Sequence, residues 1–307
     1  MRELFFDFGL GAAGDMFTAA LLDLFPDREK MVEELNALGI PGVHYHAEAV
    51  NREELTGLHM KVTIGGLTEE EVNRYQNEEG VHSHGADGYQ NEEGGHSYGA
   101  DGHQNEEGVH CHGTDGHQHE ESPHSHETDM HHHGDAAHVS YRKVREIVKG
   151  LALPQKVKED VLEVYRIITE AEAAAHGTLV EDIHFHEVGT MDAIADITAA
   201  AYLMDRIHPD TVSATPVHAG AGTVRCAHGV LPVPAPATAR ILEGIPYYEG
   251  KVETELFTPT GAALLRYFVG NFRTEDVPEG GIRGRGFGSK VLPPSAGINC
   301  LTAVLFL

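Results

Sequence analysis

Two imidazoles and three carboxylates fall within 13 residues, in His184-Phe185-His186-Glu187 followed by Asp192 and Asp196. On an extended segment, alternation sends His184 and His186 to one face and Phe185 to the other. Asp192 and Asp196 are four residues apart, so on a helix they share a face near its N-terminus. Such a set could hold a divalent metal ion, or supply an acid and a base. His184, His186, Glu187 and Asp192 are therefore the catalytic candidates. The plainer alternative has Asp192 favouring a helix N-terminus, the histidines bonding locally and Asp196 solvated.

A second constellation is Gly9-Leu10-Gly11-Ala12-Ala13-Gly14, a G-x-G-x-x-G between an apolar strand and a helix. Backbone N–H groups in such a turn can hold a phosphate, with the helix dipole behind them. A dinucleotide fingerprint also wants an acidic residue closing the next strand about 20 residues on. Here that region has a helical pattern, and the first acidic strand residue is Glu48. The turn is thus read either as a phosphate or metal cradle, with Asp7 and Asp15 beside Gly9, Gly11 and Gly14, or as a structural tight turn. Thr258-Pro259-Thr260-Gly261 opens another helix, where the hydroxyls of Thr258 and Thr260 and free N–H groups could meet an anion. His218, Arg225 and His228 flank the Gly220-Ala221-Gly222 loop, and Gly284 to Gly288 with Lys290 is a weaker phosphate candidate.

The third constellation is a tract. Fourteen of the 23 histidines lie between His82 and His138. His82 and His84, His110 and His112, His117 and His119, and His124 and His126 form His-x-His pairs. His131, His132 and His133 are consecutive. Imidazole suits nickel, zinc and copper, and nearby carboxylates concentrate divalent cations. These histidines are the metal-ligand candidates. The tract does not choose its metal, and without fixed geometry it suits storage or delivery better than catalysis.

The tract is built from a 14-residue repeat: Tyr75–Gly88 reads YQNEEGVHSHGADG, Tyr89–Gly102 and His103–Gly116 follow it closely, and His117–Met130 is a decayed copy. A unit with so little apolar surface cannot offset its ordering entropy, so a disordered insert is expected over residues 73–138. The remainder, residues 1–72 and 139–307, should form one mixed α/β (or α+β) body. Periodicity predicts strands over Glu3–Phe8, Val43–Val50, Leu58–Ile64 and Leu301–Leu307. It predicts helices over Asp15–Phe25, Arg28–Leu38, Met191–Ile207 and Pro259–Phe268. Between them, Ser140 should cap a helix, and Pro154 should start a longer one that ends at His176-Gly177.

The formal charge of −26 argues against a nucleic-acid partner. Much of it sits in residues 69–138, which hold 17 acidic side chains against one arginine. No apolar run approaches the roughly 20 residues of a membrane-spanning helix, and the start lacks a signal-peptide layout, so a cytoplasmic protein without membrane contact is expected. Cys111, Cys226 and Cys300 are too dispersed for a disulfide framework; Cys226 and Cys300 read as small buried residues. A homo-oligomer stays open.

These motifs, taken in order, resemble the nickel-insertion proteins that complete the nickel-pincer nucleotide cofactor of lactate racemase. The resemblance rests on Phe6-Asp7 through Gly14-Asp15-Met16, the internal histidine tract and His184-Phe185-His186-Glu187-Val188-Gly189 with Asp192. It continues in Cys226-Ala227-His228-Gly229, Leu231-Pro232-Val233-Pro234-Ala235-Pro236-Ala237-Thr238 and Thr258-Pro259-Thr260-Gly261-Ala262-Ala263. It departs at Phe8, Gly9 and Ala12, where hydroxyl or cysteine residues are usual, and at Gly288-Ser289-Lys290-Val291, where the family has Gly-Thr-Arg-Asp. The resemblance implies nickel insertion into pyridinium-3,5-bisthiocarboxylic acid mononucleotide, a lyase-type reaction requiring CTP. It also implies a separate or frameshift-fused C-terminal CTP-binding domain, with lactate racemase apoenzyme as recipient. Asp7, Gly9, Gly11, Gly14, Asp15, His228, Thr258 and Thr260 are the candidates for holding the nucleotide. The competing reading is a nickel or zinc storage and delivery protein whose body is a scaffold.

Overall fold

The computed structural model describes residues 1–68, 71, 140–183, 185, 190–226, 229–273, 279–290, 292 and 296–307. All of them belong to one unit, built from both sides of the histidine tract. The tract itself, and with it the expected disordered insert, lies outside the described residues. Every metal-ligand candidate falls there: His82, His84, His110, His112, His117, His119, His124, His126, His131, His132 and His133. The catalytic candidates His184, His186 and Glu187, and the nucleotide candidate His228, also lie outside the described residues.

The body is a mixed α/β fold around a seven-stranded sheet. One of its inner strands is β1 (Glu3–Asp7), whose Leu4-Phe5-Phe6 core is fully buried. A strand covered on both faces has no polar positions to alternate with. β1 runs antiparallel to β11 (Cys300–Phe306) and parallel to β4 (Thr211–Ala214). Leu4 faces Leu305 and Phe6 faces Ala303, so the helix-facing side of the sheet is continuous and apolar. Beyond β11 come β10 (Ile282–Phe287) and the hairpin of β3 (Leu55–Ile64) and β2 (Val43–Arg52). Beyond β4 lies the short β9 (Asn271–Phe272). Two small two-stranded sheets pair β5 (Val217–His218) with β8 (Tyr247–Tyr248), and β6 (Thr223–Cys226) with β7 (Gly229–Pro232).

Seven α-helices are described. α1 (Gly14–Leu22) lies across β3, β10 and β11, and α2 (Arg28–Asn36) packs on β2. α3 (Tyr141–Gly150) begins at Ser140, whose side chain accepts from Lys143 N–H at 3.3 Å. α4 (Gln155–His176) buries Val157, Val161, Tyr165 and Ile168, and stops where Gly177 turns left-handed at φ 65°. The expected cap, stripe and stop are all observed. α5 (Met191–Ile207) is alanine-rich and packs between α1 and α4. α6 (Pro236–Ile241) and α7 (Pro259–Phe268) complete the layer. None of the described helices is long and apolar enough to cross a membrane.

α1 approaches its neighbours backbone to backbone. A Cβ on Gly286 of β10 would lie 2.0 Å from the Met16 carbonyl oxygen, and one on Gly284 would lie 2.2 Å from that of Ala20. On the other flank, a Cβ on Gly14 would lie 2.4 Å from Asp196 Oδ2 of α5. Side chains cannot intervene at such distances. Cys226 and Cys300 are only partly buried, which corrects the expectation that both are core residues. Gly286→Ala should therefore push α1 off the sheet and cost at least about 2 kcal/mol. Chemical denaturation measures this, and a loss well under 1 kcal/mol would mean that α1 can shift without penalty.

Candidate functional site

The first turns of α1, α5 and α7 converge on one cleft of about 770 Å³. Ala13, Gly14 and Asp15 line it from α1; Thr190, Asp192 and Asp196 from α5; Thr258, Pro259 and Thr260 from α7. The opposite wall is the β2–β3 hairpin, with Glu48, Arg52, His59 and Lys61, and the segment after β10 adds Ser289 and Lys290. Thr68 and Glu71, from which the chain runs on into the histidine-rich tract, also line the cleft.

Three helix N-termini put three sets of backbone N–H groups and positive dipole ends on one volume. Two are capped by side chains: Thr190 accepts from Ala193 N–H at 3.4 Å, and Thr258 from Gly261 N–H at 3.2 Å. α1 has no side-chain cap at Ala13. Asp15 in its first turn accepts instead, from its own N–H and that of Met16, which lowers its pKa. Burial outweighs this and holds the Asp15 carboxyl above the ordinary carboxylate value. His59 Nδ1 lies 3.9 Å from Asp15 Oδ2.

The cations of the wall differ in how they are held. Lys61 is paired with Glu48 at 3.1 Å, and that hydrogen bond lowers the Glu48 carboxyl below its usual value. Arg52 donates to the Gly288 carbonyl at 3.2 Å and lies over the Phe287 ring, 5.5 Å from its centre. Lys290 donates to the Glu255 carbonyl at 2.8 Å. Backbone carbonyls position these two groups, and among the described residues neither is paired with a carboxylate, which leaves their charge for an anion. Next to Asp196 in sequence, the Ala195 carbonyl accepts from the Tyr45 hydroxyl at 2.8 Å, fixing the hairpin to α5. Burial, reinforced by Asp196 and Asp192, raises the Tyr45 and Tyr165 phenols well above the usual range, so both stay neutral.

Of the residues singled out from sequence, the cleft collects Gly14, Asp15, Asp192, Asp196, Thr258, Thr260, Gly288 and Lys290. Asp7, Gly9 and Gly11 are not in its lining. The Asp7 carboxylate accepts from Gly9 N–H at 3.1 Å and from the Thr215 hydroxyl at 3.4 Å. Gly11, at φ 85°, turns where a Cβ would lie 1.9 Å from the Leu256 carbonyl oxygen. Gly11 and Gly14 are thus explained by the close passage of Leu256 and Asp196, whereas a Cβ on Gly9 would meet only Asp7 Oδ1, at 3.3 Å. Asp196, expected to be solvated in the plainer reading, is buried against Gly14. His218 is buried with its ring nitrogens 3.2 and 3.0 Å from the Gly9 and Glu249 carbonyls, stacked on Tyr248. Among the described residues, no three His, Cys, Asp or Glu side chains meet closely enough to hold a metal ion.

Sequence reasoning missed His59 and Arg52. On β3, Leu58, Met60 and Val62 alternate inward, and His59 and Lys61 look like the polar face of any half-buried strand. Nothing local marks His59 as the partner of a residue 44 positions earlier in the chain.

The model of the nickel insertion protein family matches residues 4–305. The pyridinium-3,5-bisthiocarboxylic acid mononucleotide nickel insertion protein of Clostridium acetobutylicum is 39% identical over 274 residues, covering 89% of this chain and 57% of the relative. The protein of the same name from Geobacillus kaustophilus is 29% identical, covering 95% of this chain and 57% of the relative. That of Desulfitobacterium hafniense is 47% identical over 135 residues, 44% of this chain and 34% of the relative. The chain spans little more than half the length of the relatives that it matches most fully. No solved structure matches it.

The site has a measurable stability signature. A carboxyl raised by burial binds its proton more readily in the folded state, so its ionisation costs stability as the pH rises. Asp15→Asn should raise the melting temperature at neutral pH, and the gain should shrink as the pH falls toward the ordinary value of 3.8. Thermal melts over that range test it; a variant less stable than wild type at neutral pH would show that the carboxylate is not buried at a cost.

Proposed function

The chain belongs to the nickel insertion protein family, and we propose that its cleft is where nickel is inserted into pyridinium-3,5-bisthiocarboxylic acid mononucleotide. The product is the nickel-pincer cofactor of lactate racemase, whose apoenzyme is the recipient. The observation that carries this reading is the meeting of three helix N-termini with Arg52 and Lys290 on one cleft. The substrate bears a phosphate and two thiocarboxylates. Helix N-termini and cations held by backbone carbonyls suit such anions.

The acidic residues that also line the cleft suit the remaining features of the substrate. Asp192 and Asp196 line the cleft, and acidic residues there suit the positive charge of a pyridinium ring. Nickel is a substrate here, gathered by the histidines between His82 and His138. The tract continues from Thr68 and Glu71 on the cleft wall, which supports short-range delivery. His184, His186 and Glu187 are proposed to act beside Asp192, to which they are close in sequence. CTP is required through a C-terminal domain, in keeping with the greater length of the relatives. The reaction is of the lyase class and takes place in the cytoplasm.

Insertion is assayed with the mononucleotide, nickel, CTP and the part of the Clostridium acetobutylicum relative that lies beyond the match. Deleting residues 73–138 should leave the rate intact at saturating nickel and depress it at limiting nickel. Arg52→Ala and Lys290→Ala should each raise the KM for the mononucleotide roughly tenfold, with a smaller effect on kcat. Unchanged mononucleotide affinity in the double variant would move the substrate out of this cleft. Total loss of activity on deletion, even in excess nickel, would count against the tract as a delivery segment.

A further inference from the structure

We infer that His59 accepts the proton that leaves the pyridinium ring when nickel bonds to carbon, with Asp15 as its positioning residue. The inference rests on the insertase reading and adds to it the base that the reaction needs. Two sulfur donors at positions 3 and 5 place the metal over the ring carbon between them. Its C–H bond breaks heterolytically, the electron pair becomes the nickel–carbon bond, and the proton departs. Nickel stays divalent, so the step needs no oxidant or reductant, only a proton acceptor.

The geometry selects His59. Its Nδ1 lies 2.9 Å from the Phe287 carbonyl oxygen, a group that only accepts, so Nδ1 carries the hydrogen and donates it. In the neutral ring the lone pair is then on Nε2. The side chain lines the cleft and is about one-fifth exposed, as is that of Asp15. When Nε2 takes up a proton, the ring's positive charge lies beside the Phe287 carbonyl and 3.9 Å from Asp15 Oδ2. A carbonyl that fixes the tautomer and a carboxylate that stabilises the imidazolium are what a histidine base requires.

The charged groups nearest His59 among the described residues are otherwise engaged. Glu48 faces His59 across the β2–β3 ladder and is bound by Lys61. Arg52, next on that wall, is held by the Gly288 carbonyl and the Phe287 ring. Asp15 is fixed by backbone N–H groups of α1, which places it behind His59 as a counter-charge. A carboxyl group on its own would also be a weaker base near neutral pH than an imidazole.

The test compares wild type with His59→Gln, His59→Ala and Asp15→Asn in the insertion assay above. The substrate carries hydrogen or deuterium at the carbon between the thiocarboxyl groups. Glutamine retains an N–H for the Phe287 carbonyl and offers no basic nitrogen. His59→Gln should melt and bind mononucleotide as wild type does, yet insert nickel about 100-fold more slowly. It should also lose the acid limb of the pH–rate profile. Added imidazole should restore part of the His59→Ala rate, and the deuterium effect should be larger in both His59 variants than in wild type. Asp15→Asn should lower kcat more than it raises KM. His59→Gln turning over within about threefold of wild type, with its pH profile unchanged, would overturn the inference. So would a His59→Ala rate that imidazole does not raise. If wild type itself forms no product, it is the insertase reading that falls.

Discussion

Helix α1 meets β10 through its backbone, because Gly284 and Gly286 stand where any side chain would strike the Ala20 and Met16 carbonyls. On its other flank Gly14 leaves room only for the Asp196 carboxylate. This wedge between sheet and α5 sets the height of the α1 N-terminus, and so the position of Asp15. Were the helix an ångström farther out, Asp15 would leave His59, and the cleft would lose one of its three N-termini. Close packing of this kind transmits small displacements instead of absorbing them. The shape of the cleft therefore depends on glycines that leave space for their neighbours.

The charge pattern of the cleft follows from the same arrangement. Three helices point their positive ends inward, and each contributes side chains from its first turn. Two of those turns carry carboxylates and one carries threonines. The facing hairpin supplies cations, of which Lys61 is already paired. The result is a volume lined by charges of both signs, Arg52 and Lys290 among the cations and Asp192 and Asp196 among the acidic residues. A cleft lined by both signs can meet a ligand that carries both, whereas a uniformly charged one would repel part of it.

The α1 loop shows how a motif can be right in outline and different in use. G-x-G-x-x-G from Gly9 to Gly14 does join a strand to a helix N-terminus, and Gly14 does line the cleft. Yet Gly11 is needed for the Leu256 backbone and Gly14 for Asp196. Glycine spacing reports a close approach of something, and the identity of that neighbour lies elsewhere in the chain.

Much of the secondary structure was legible from residue order, because amphipathic periodicity, caps and stops are local. Ser140, Pro154, Gly177 and the stripe of α4 act within a few residues of themselves. The histidine repeats and their charge are likewise composition, readable without coordinates. Asp15, Asp192, Thr258 and Thr260 could be picked out individually, since each opens a helix. That these three helices start at one place is a property of the tertiary packing. It depends on contacts between residues far apart in sequence, among them Gly14 with Asp196 and Tyr45 with Ala195. His59 and Arg52 acquire meaning only there, because a charge on a strand has no function until the fold supplies what it faces.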